Sequence, residues 1–473
     1  MSKKGMTILV IVLAVILLGS LTGALATRYL YLEDHVFVGE DAYPKDSGQL
    51  DLRGTGISID YYEELQEKLP QCDISWEVPF QGGFTDADIP ELTVTSLTDA
   101  DVEIMDYFTK LTRVDASACR DYPQLLALQQ RHPDCVVEYR VTIGGKEYPQ
   151  DTRELTVTGL TEEEAGLLQY LPQLESLHLV EPAASAGTVL ALSETMTVTC
   201  EKQVLGQTVT SSDTELDFTG IQLSGTEELE RDLGYFPNLE KVIVSDCGLD
   251  NETLAAARDR VREQYKLVWT VQCGKLTART DDTYFMPVKY HVYYFHDEDA
   301  YNLRYCEDMI CIDLGHMSIH DIEFVRFMPH LRYLILAHST VLDITSISDC
   351  KELVFLELDW TGIKDYTPLL GCTALEDLNL GNTYGDSAPI KQMTWLKNLW
   401  VPTRSYADKQ ALIEALPNTR VVTSDPPTTF RGSTERCTDG LGWRNLKNYY
   451  DMRDILNEGT GGWLDTLGKR YMK

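Results

Sequence analysis

The sequence lacks most of the short patterns that announce chemistry. It has no G-x-S-x-G, no G-x-x-x-x-G-K and no cysteine nucleophile motif with a paired histidine, so acyl transfer and phosphate-loop chemistry have no foothold. Gly459 to Gly462 is glycine-rich but lacks the strand-to-helix setting that phosphate binding needs. The 11 cysteines include no CxxC pair and no dense framework, which excludes a signalled zinc site or disulfide scaffold and leaves buried thiols as the expectation. Positive charge is scarce as well: 41 basic residues face 74 acidic ones, for a net charge of -33. Phosphate binding needs a basic face, so nucleic acid is not an expected partner, and anionic headgroups are repelled. Cationic peptides, calcium and neutral glycans are electrostatically tolerable. With 43% hydrophobic and 24% charged residues, the composition is that of a folded protein.

One long apolar run is present. Lys3 and Lys4 precede an uncharged stretch from Met6 to Ala26, which as a helix rises about 30 Å, the thickness of a bilayer's hydrocarbon layer. The lysines stay inside, so residues 1–5 read as a cytoplasmic tail, 6–27 as a transmembrane anchor and 28–48 as a linker to an extracytoplasmic body. Ala24-Leu25-Ala26 also fits signal-peptide cleavage near Ala26, which yields a secreted protein. Both readings place the body outside the cytoplasm.

The strongest pattern is L-x-x-L-x-L. It occurs as Leu331-Leu334-Leu336, Leu353-Leu356-Leu358, Leu375-Leu378-Leu380 and Leu396-Leu399-Val401, with starts 22, 22 and 21 residues apart. Stepping back by 22 gives Met309, Ile312 and Leu314, and stepping on gives the degenerate Asn418, Val421 and Thr423. No coil of this length buries its own leucines, so coils must stack, with strands about 4.8 Å apart and the leucines in one column. The stretch Leu358-Asp359-Trp360-Thr361-Gly362-Ile363-Lys364-Asp365, followed by Pro368-Leu369-Leu370-Gly371-Cys372, resembles the short internalin-like repeats of bacterial leucine-rich-repeat surface proteins. Met317, Ser339 and Arg404 depart from that pattern at the Thr361 position. The resemblance implies an α/β leucine-rich-repeat solenoid with a curved parallel sheet over residues 309–424. Cys350 and Cys372 fall at equivalent turn positions, where either a disulfide or two free thiols fits.

A longer repeat precedes it. Glu91-Leu92-Thr93-Val94-Thr95, Glu154-Leu155-Thr156-Val157-Thr158 and Glu215-Leu216-Asp217-Phe218-Thr219 begin 63 and 61 residues apart, and Leu50-Asp51-Leu52-Arg53 reads as a shortened first copy. Each copy holds a strand, an acidic helix cap such as Thr161-Glu162-Glu163-Glu164, a P-x-L-E entry to a second strand, and a closing helix, strand and glycine turn. Residues 49–285 therefore read as repeats of about 62 residues. Between the arrays, Tyr284 to Tyr305 is rich in tyrosine and acid and reads as a strand-containing connector or a cap, with 286–308 as the connector's bounds. Residues 425–473 read as a tail whose amphipathic Tyr449 to Leu456 covers the last coil.

The expected role is binding, with no cofactor. On the concave sheet the positions between the leucines are expected to face solvent: Tyr333, His338, Phe355, Glu357, Asp359, Trp360, Asp377, Asn379, Asn382, Asn398 and Trp400. Exposed aromatics on a rigid sheet serve as interface anchors, and acidic neighbours suit a cationic or sugar-rich ligand, so a protein or glycan outside the cell is the expected partner. Asp313, His316, His320 and His338 are the one metal-like constellation, but H-x-x-x-H has meaning on a helix and this stretch leaves a strand. An enzyme with residues near His291, His296 and Cys306, or a structural envelope component, are the alternatives.

Overall fold

The computed structural model describes residues 35–38, 41–287, 294–403, 405–423 and 446–460. Residues 1–34, with the expected anchor and cleavage site, lie outside these, as do His291, Arg404, Pro426-Pro427 and Gly442-Trp443-Arg444. Among the described residues, no helix is long and apolar enough to cross a membrane. The chain divides into two compact units, 1–202 and 203–473.

In the first unit the stretch expected to be a plain linker contains a hairpin, His35–Val38 with Asp41–Pro44. Three copies of the long repeat follow, and the periodicity has a concrete form: short parallel strands alternate with helices. The second copy pairs Glu91–Thr93, Arg113–Asp115 and Val136–Glu138, and the third pairs Glu154–Thr158, Ser176–Val180 and Thr197–Val204. The first is short by one strand, with only Gln49–Asp51 beside Asp73–Ser75. Thr98 with Asp101 and Thr161 with Glu164 close reciprocal capping boxes, so the acidic segments that follow the Glu91–Thr93 and Glu154–Thr158 strands are helix starts. Copies one and two end in an antiparallel hairpin, Glu77–Phe80 with Gly83–Asp86 and Arg140–Ile143 with Lys146–Pro149. The two-residue loops Gln81-Gly82 and Gly144-Gly145 have positive φ at both positions, the geometry that a tight hairpin turn demands and glycine permits. Each hairpin interrupts the parallel ladder, so the long repeats build separate small sheets.

The second unit contains a further copy, with strands Glu215–Asp217, Lys241–Ile243 and Lys266–Val268 and helix Asn251–Val261. Its closing hairpin, Thr270–Cys273 with Leu276–Arg279, leads into a seven-stranded parallel sheet. The strands are Tyr284–Phe285, Cys311–Asp313, Tyr333–Ile335, Phe355–Glu357, Asp377–Asn379, Asn398–Trp400 and Arg420–Val422. The sheet thus begins one strand before Met309, and the expected connector supplies its first coil: Tyr284 pairs with Cys311 and Phe285 with Ile312.

The register matches the leucine period. Ile312, Leu334, Leu356, Leu378, Leu399 and Val421 are consecutive partners across the ladder. Leu334, Leu356 and Leu378 are fully excluded from solvent, as are Leu314, Leu336, Leu358 and Leu380 two residues on. Each such side chain contributes roughly 1.5–3 kcal/mol, which is why the period is kept. On the opposite side the coils return through 3₁₀ turns at Glu323–Phe327, Thr345–Asp349, Thr367–Gly371 and Ile390–Gln392. An aspartate opens each: Asp321, Asp343, Asp365 and Asp386 accept a bond from the backbone N–H two residues later. Cys350 and Cys372 are free, buried thiols whose Sγ atoms donate to the Val325 and Ile347 carbonyls of the preceding coil at 3.5 and 3.2 Å.

Candidate binding surface

The sheet's outward side chains form rows because the pairing is in register. One row runs Cys311, Tyr333, Phe355, Asp377, Asn398; the next runs Asp313, Ile335, Glu357, Asn379, Trp400. Apolar residues dominate the first coils and polar ones the later coils. The expectation that these positions face solvent fails for most of them. Tyr333 is 2% exposed and Trp400 5%, while Phe355, Glu357, Asp377 and Asn379 are also buried and Asn398 is half-buried.

The cover is the C-terminal helix Lys447–Thr460. The amphipathic tail was expected to seal the last coil; instead it lies across the outward face of the sheet. Met452 and Leu456 are buried in one cluster with Met286, Cys311, Tyr333, Ile335, Ala337, Phe355 and Trp400. The Tyr449 ring lies 6.2 Å from that of Phe355. At the helix start, Asn448 Nδ2 donates to the Glu376 and Asp377 carboxylates at 3.1 and 3.0 Å. Residues 448, 449, 452, 455 and 456 therefore make one face, the i, i+4, i+8 spacing of an amphipathic helix, and Lys447, Tyr450 and Asp454 look outward. Asp377 also accepts from Asn398 Nδ2 at 2.7 Å. Burial pushes its carboxyl pKa up, a shift the two amide donors and Lys397 oppose.

What stays open is the rim where the chain leaves each strand. His316, His338, Trp360 and Asn382 occupy equivalent positions in successive coils, and all have positive φ, between 54° and 65°. Glycine or asparagine suits that conformation; an imidazole or indole there costs on the order of 1–2 kcal/mol. Three aromatic rings are nonetheless held in it and stacked. His316 lies 4.4 Å from His338 with planes 12° apart, and His338 lies 5.6 Å from Trp360 at 14°. Backbone bonds fix the column, since the N–H groups of His316, His338 and Trp360 donate to Ala337, Asp359 and Gly381 of the next coil. Asp359 lies beside it, 3.7 Å from His338 Nε2 and accepting from Asn382 Nδ2 at 3.1 Å. Trp360 is 48% exposed. Of the expected residues, the structure thus brings His338, Asp359, Trp360 and Asn382 together at an open edge, leaves Asn398 half-buried and buries the rest. His316 belongs to the same column; the 22-residue step from His338 was the signal for it.

Of the remaining candidates for chemistry, His291 lies outside the described residues. His320 Nδ1 sits 3.4 Å from Asp297, away from the stacked pair, and among the described residues no group of three or more metal-ligating side chains forms. The Cys306 thiol is buried and its pKa raised by desolvation, the reverse of what a nucleophile needs. The His296 backbone N–H donates to the Asp299 carboxylate at 2.9 Å as part of a helix cap. Sequence reading did not foresee a cleft of about 470 Å³ lined by Arg258, Arg262, Arg304, Tyr301 and Phe327. Its arginines are already ion-paired, Arg258 and Arg262 with Glu307 and Arg304 with Glu252.

A 22-residue coil, one leucine column and a parallel ladder in register decide the architecture of the array. It is a leucine-rich-repeat fold. No family model matches the chain, and no curated protein matches it. Among solved structures, internalin C2 of Listeria monocytogenes is 21% identical with a TM-score of 0.21, over 26% of this chain and 66% of that one, just under two thirds of its length. An internalin F of Listeria monocytogenes is 14% identical with a TM-score of 0.24, covering 78% of this chain and 91% of that one. A leucine-rich-repeat protein of Leptospira interrogans is 11% identical with a TM-score of 0.24, covering 80% and 90%. At such scores the likeness adds no weight, and the repeat architecture stands on the register itself.

Proposed function

We propose that this chain is a leucine-rich-repeat binding module displayed outside the cytoplasm, held to a membrane by residues 6–27, and that it recognises a protein or glycan through the strand-exit rim. The observation that carries the reading is the His316–His338–Trp360 column. Three stacked rings are held in a backbone conformation that favours glycine or asparagine, exposed beside the Asp359 carboxylate, and exposed aromatics on a regular sheet edge are what interfaces use as anchors. The long repeats are then a spacer or second site, and the acidic surface favours a cationic or neutral ligand.

The test is crosslinking on intact cells followed by mass spectrometry. Wild type yields a specific crosslinked partner, and Trp360→Ala loses it while folding normally. An unchanged crosslink pattern in Trp360→Ala removes the rim as the recognition site, and protection of the chain from protease added to intact cells removes the surface location.

A further inference from the structure

The helix Lys447–Thr460 meets the sheet as a ligand would. The helix touches the Tyr284–Phe285 and Cys311–Asp313 strands, its Met452 and Leu456 are buried in the cluster of the sheet's outward residues, Tyr449 lies beside Phe355, and Asn448 bonds Glu376 and Asp377 at the polar end. We propose that this face is a receptor for amphipathic helices, that the chain's own C-terminal helix occupies it in cis, and that a partner helix with the same anchor order displaces it. The proposal deepens the reading of the array as a protein-binding module and rests on it.

Three features distinguish a docked segment from a part of the core. First, the array is complete without it: all seven strands pair through their own backbone ladder, and the leucine column lies on the other side of the sheet. A single helix of this length is marginal in water, so its order comes from the docked contact. Second, withdrawal of the helix would expose Tyr333, Phe355, Trp400, Ile335 and Met286 together, an aromatic patch of the kind that marks an interface. Third, the buried Asp377 carboxylate takes one amide donor from the sheet, Asn398, and one from the helix, Asn448. When the helix leaves, that oxygen loses its donor, so any replacement must supply one.

That requirement states the partner's chemistry. It is a helix with an amide or cationic side chain at its first anchor, an aromatic next, and Met or Leu four and eight residues after the first. Glu376 beside Asp377 selects against an acidic residue at the first anchor. Because the cis helix is tethered, its effective concentration is on the order of millimolar, and a partner's apparent affinity is reduced by the fraction of time the face is closed.

The probe is a fluorescein-labelled synthetic peptide of residues 446–460, titrated by anisotropy against the full chain in detergent micelles. The wild-type chain is expected to bind it at least tenfold more weakly than the Met452→Asp/Leu456→Asp chain, whose face is vacated. A peptide carrying Asn448→Asp is expected to bind the vacated chain at least tenfold more weakly than the native peptide. Equal binding by the two chains, no binding by a double variant that keeps a cooperative melt, or indifference to Asn448→Asp overturns the proposal. Should the double variant lose its cooperative melt, the chain carrying Asn448→Asp alone replaces it under the same criteria. Light scattering must show a wild-type monomer; a dimer exchanging helices overturns cis occupancy. The Trp360→Ala chain must bind the peptide as wild type does, so loss of crosslinking with intact peptide behaviour sinks the rim reading alone, and the converse sinks only the helix receptor.

Discussion

Leu356 is the residue on which the register can be tested most directly. It is 0% exposed and sits between Leu334 and Leu378, themselves fully buried, in the middle of the ladder. Replacing it with alanine removes three carbons, worth about 0.8 kcal/mol each in transfer energy, and leaves a cavity that flanking coils held by backbone bonds close only in part; the loss is about 2–5 kcal/mol. With a urea dependence of about 2–3 kcal/mol per molar for a unit of this size, a loss of about 3 kcal/mol lowers the midpoint by roughly 1–1.5 M. Circular dichroism and the fluorescence of Trp360, Trp395 and Trp400 report the transition. Leu342 supplies an internal control: it is the same residue type in the same array but 65% exposed, and Leu342→Ala should shift stability by no more than about 0.5 kcal/mol. A Leu356→Ala midpoint within about 0.3 M of wild type, or equal shifts in the two variants, would refute the column as the source of stability. Leu356→Asp places an unpaired carboxylate in the same slot and should abolish the cooperative transition.

The turn aspartates make the array acid-sensitive. Thr345 and Thr367 hold the Asp343 and Asp365 carboxyls below their usual 3.8 by side-chain and backbone bonds, so their stabilisation is fully present above that value and is lost as pH falls through the lowered folded values. Asp343→Asn with Asp365→Asn should flatten the fall in melting temperature below about pH 4, and an unaltered pH profile would discount these turns. The thiols of Cys350 and Cys372, pushed up to about 12 by burial, should resist iodoacetamide at pH 8 in the folded chain and react fully in urea; rapid native labelling would show that the coils open there.

Leucine spacing made the array legible because a coil that cannot bury its own aliphatics must repeat them at the same place in the next coil. The same logic exposed the long repeats, whose acidic triplets and glycine turns are local signals of helix starts and hairpins. The stretch from Tyr284 reads as a strand-containing connector, and its strand is present, but nothing in it marks the first coil of the array because it carries no L-x-x-L-x-L and follows directly on a hairpin.

Alternation along each short strand established that Tyr333, Phe355 and Trp400 share a face opposite the leucines, and it could say no more. Whether that face meets water depends on Met452 and Leu456, which lie beyond the last strand in the chain and carry the same kind of amphipathic pattern as any surface helix. Periodicity reports that a face is apolar but not which other face it meets, since burial is not directional. The internal column was therefore determined by the sequence alone. The cover on the sheet and the open aromatic rim beside it were decided only when distant segments came together in space.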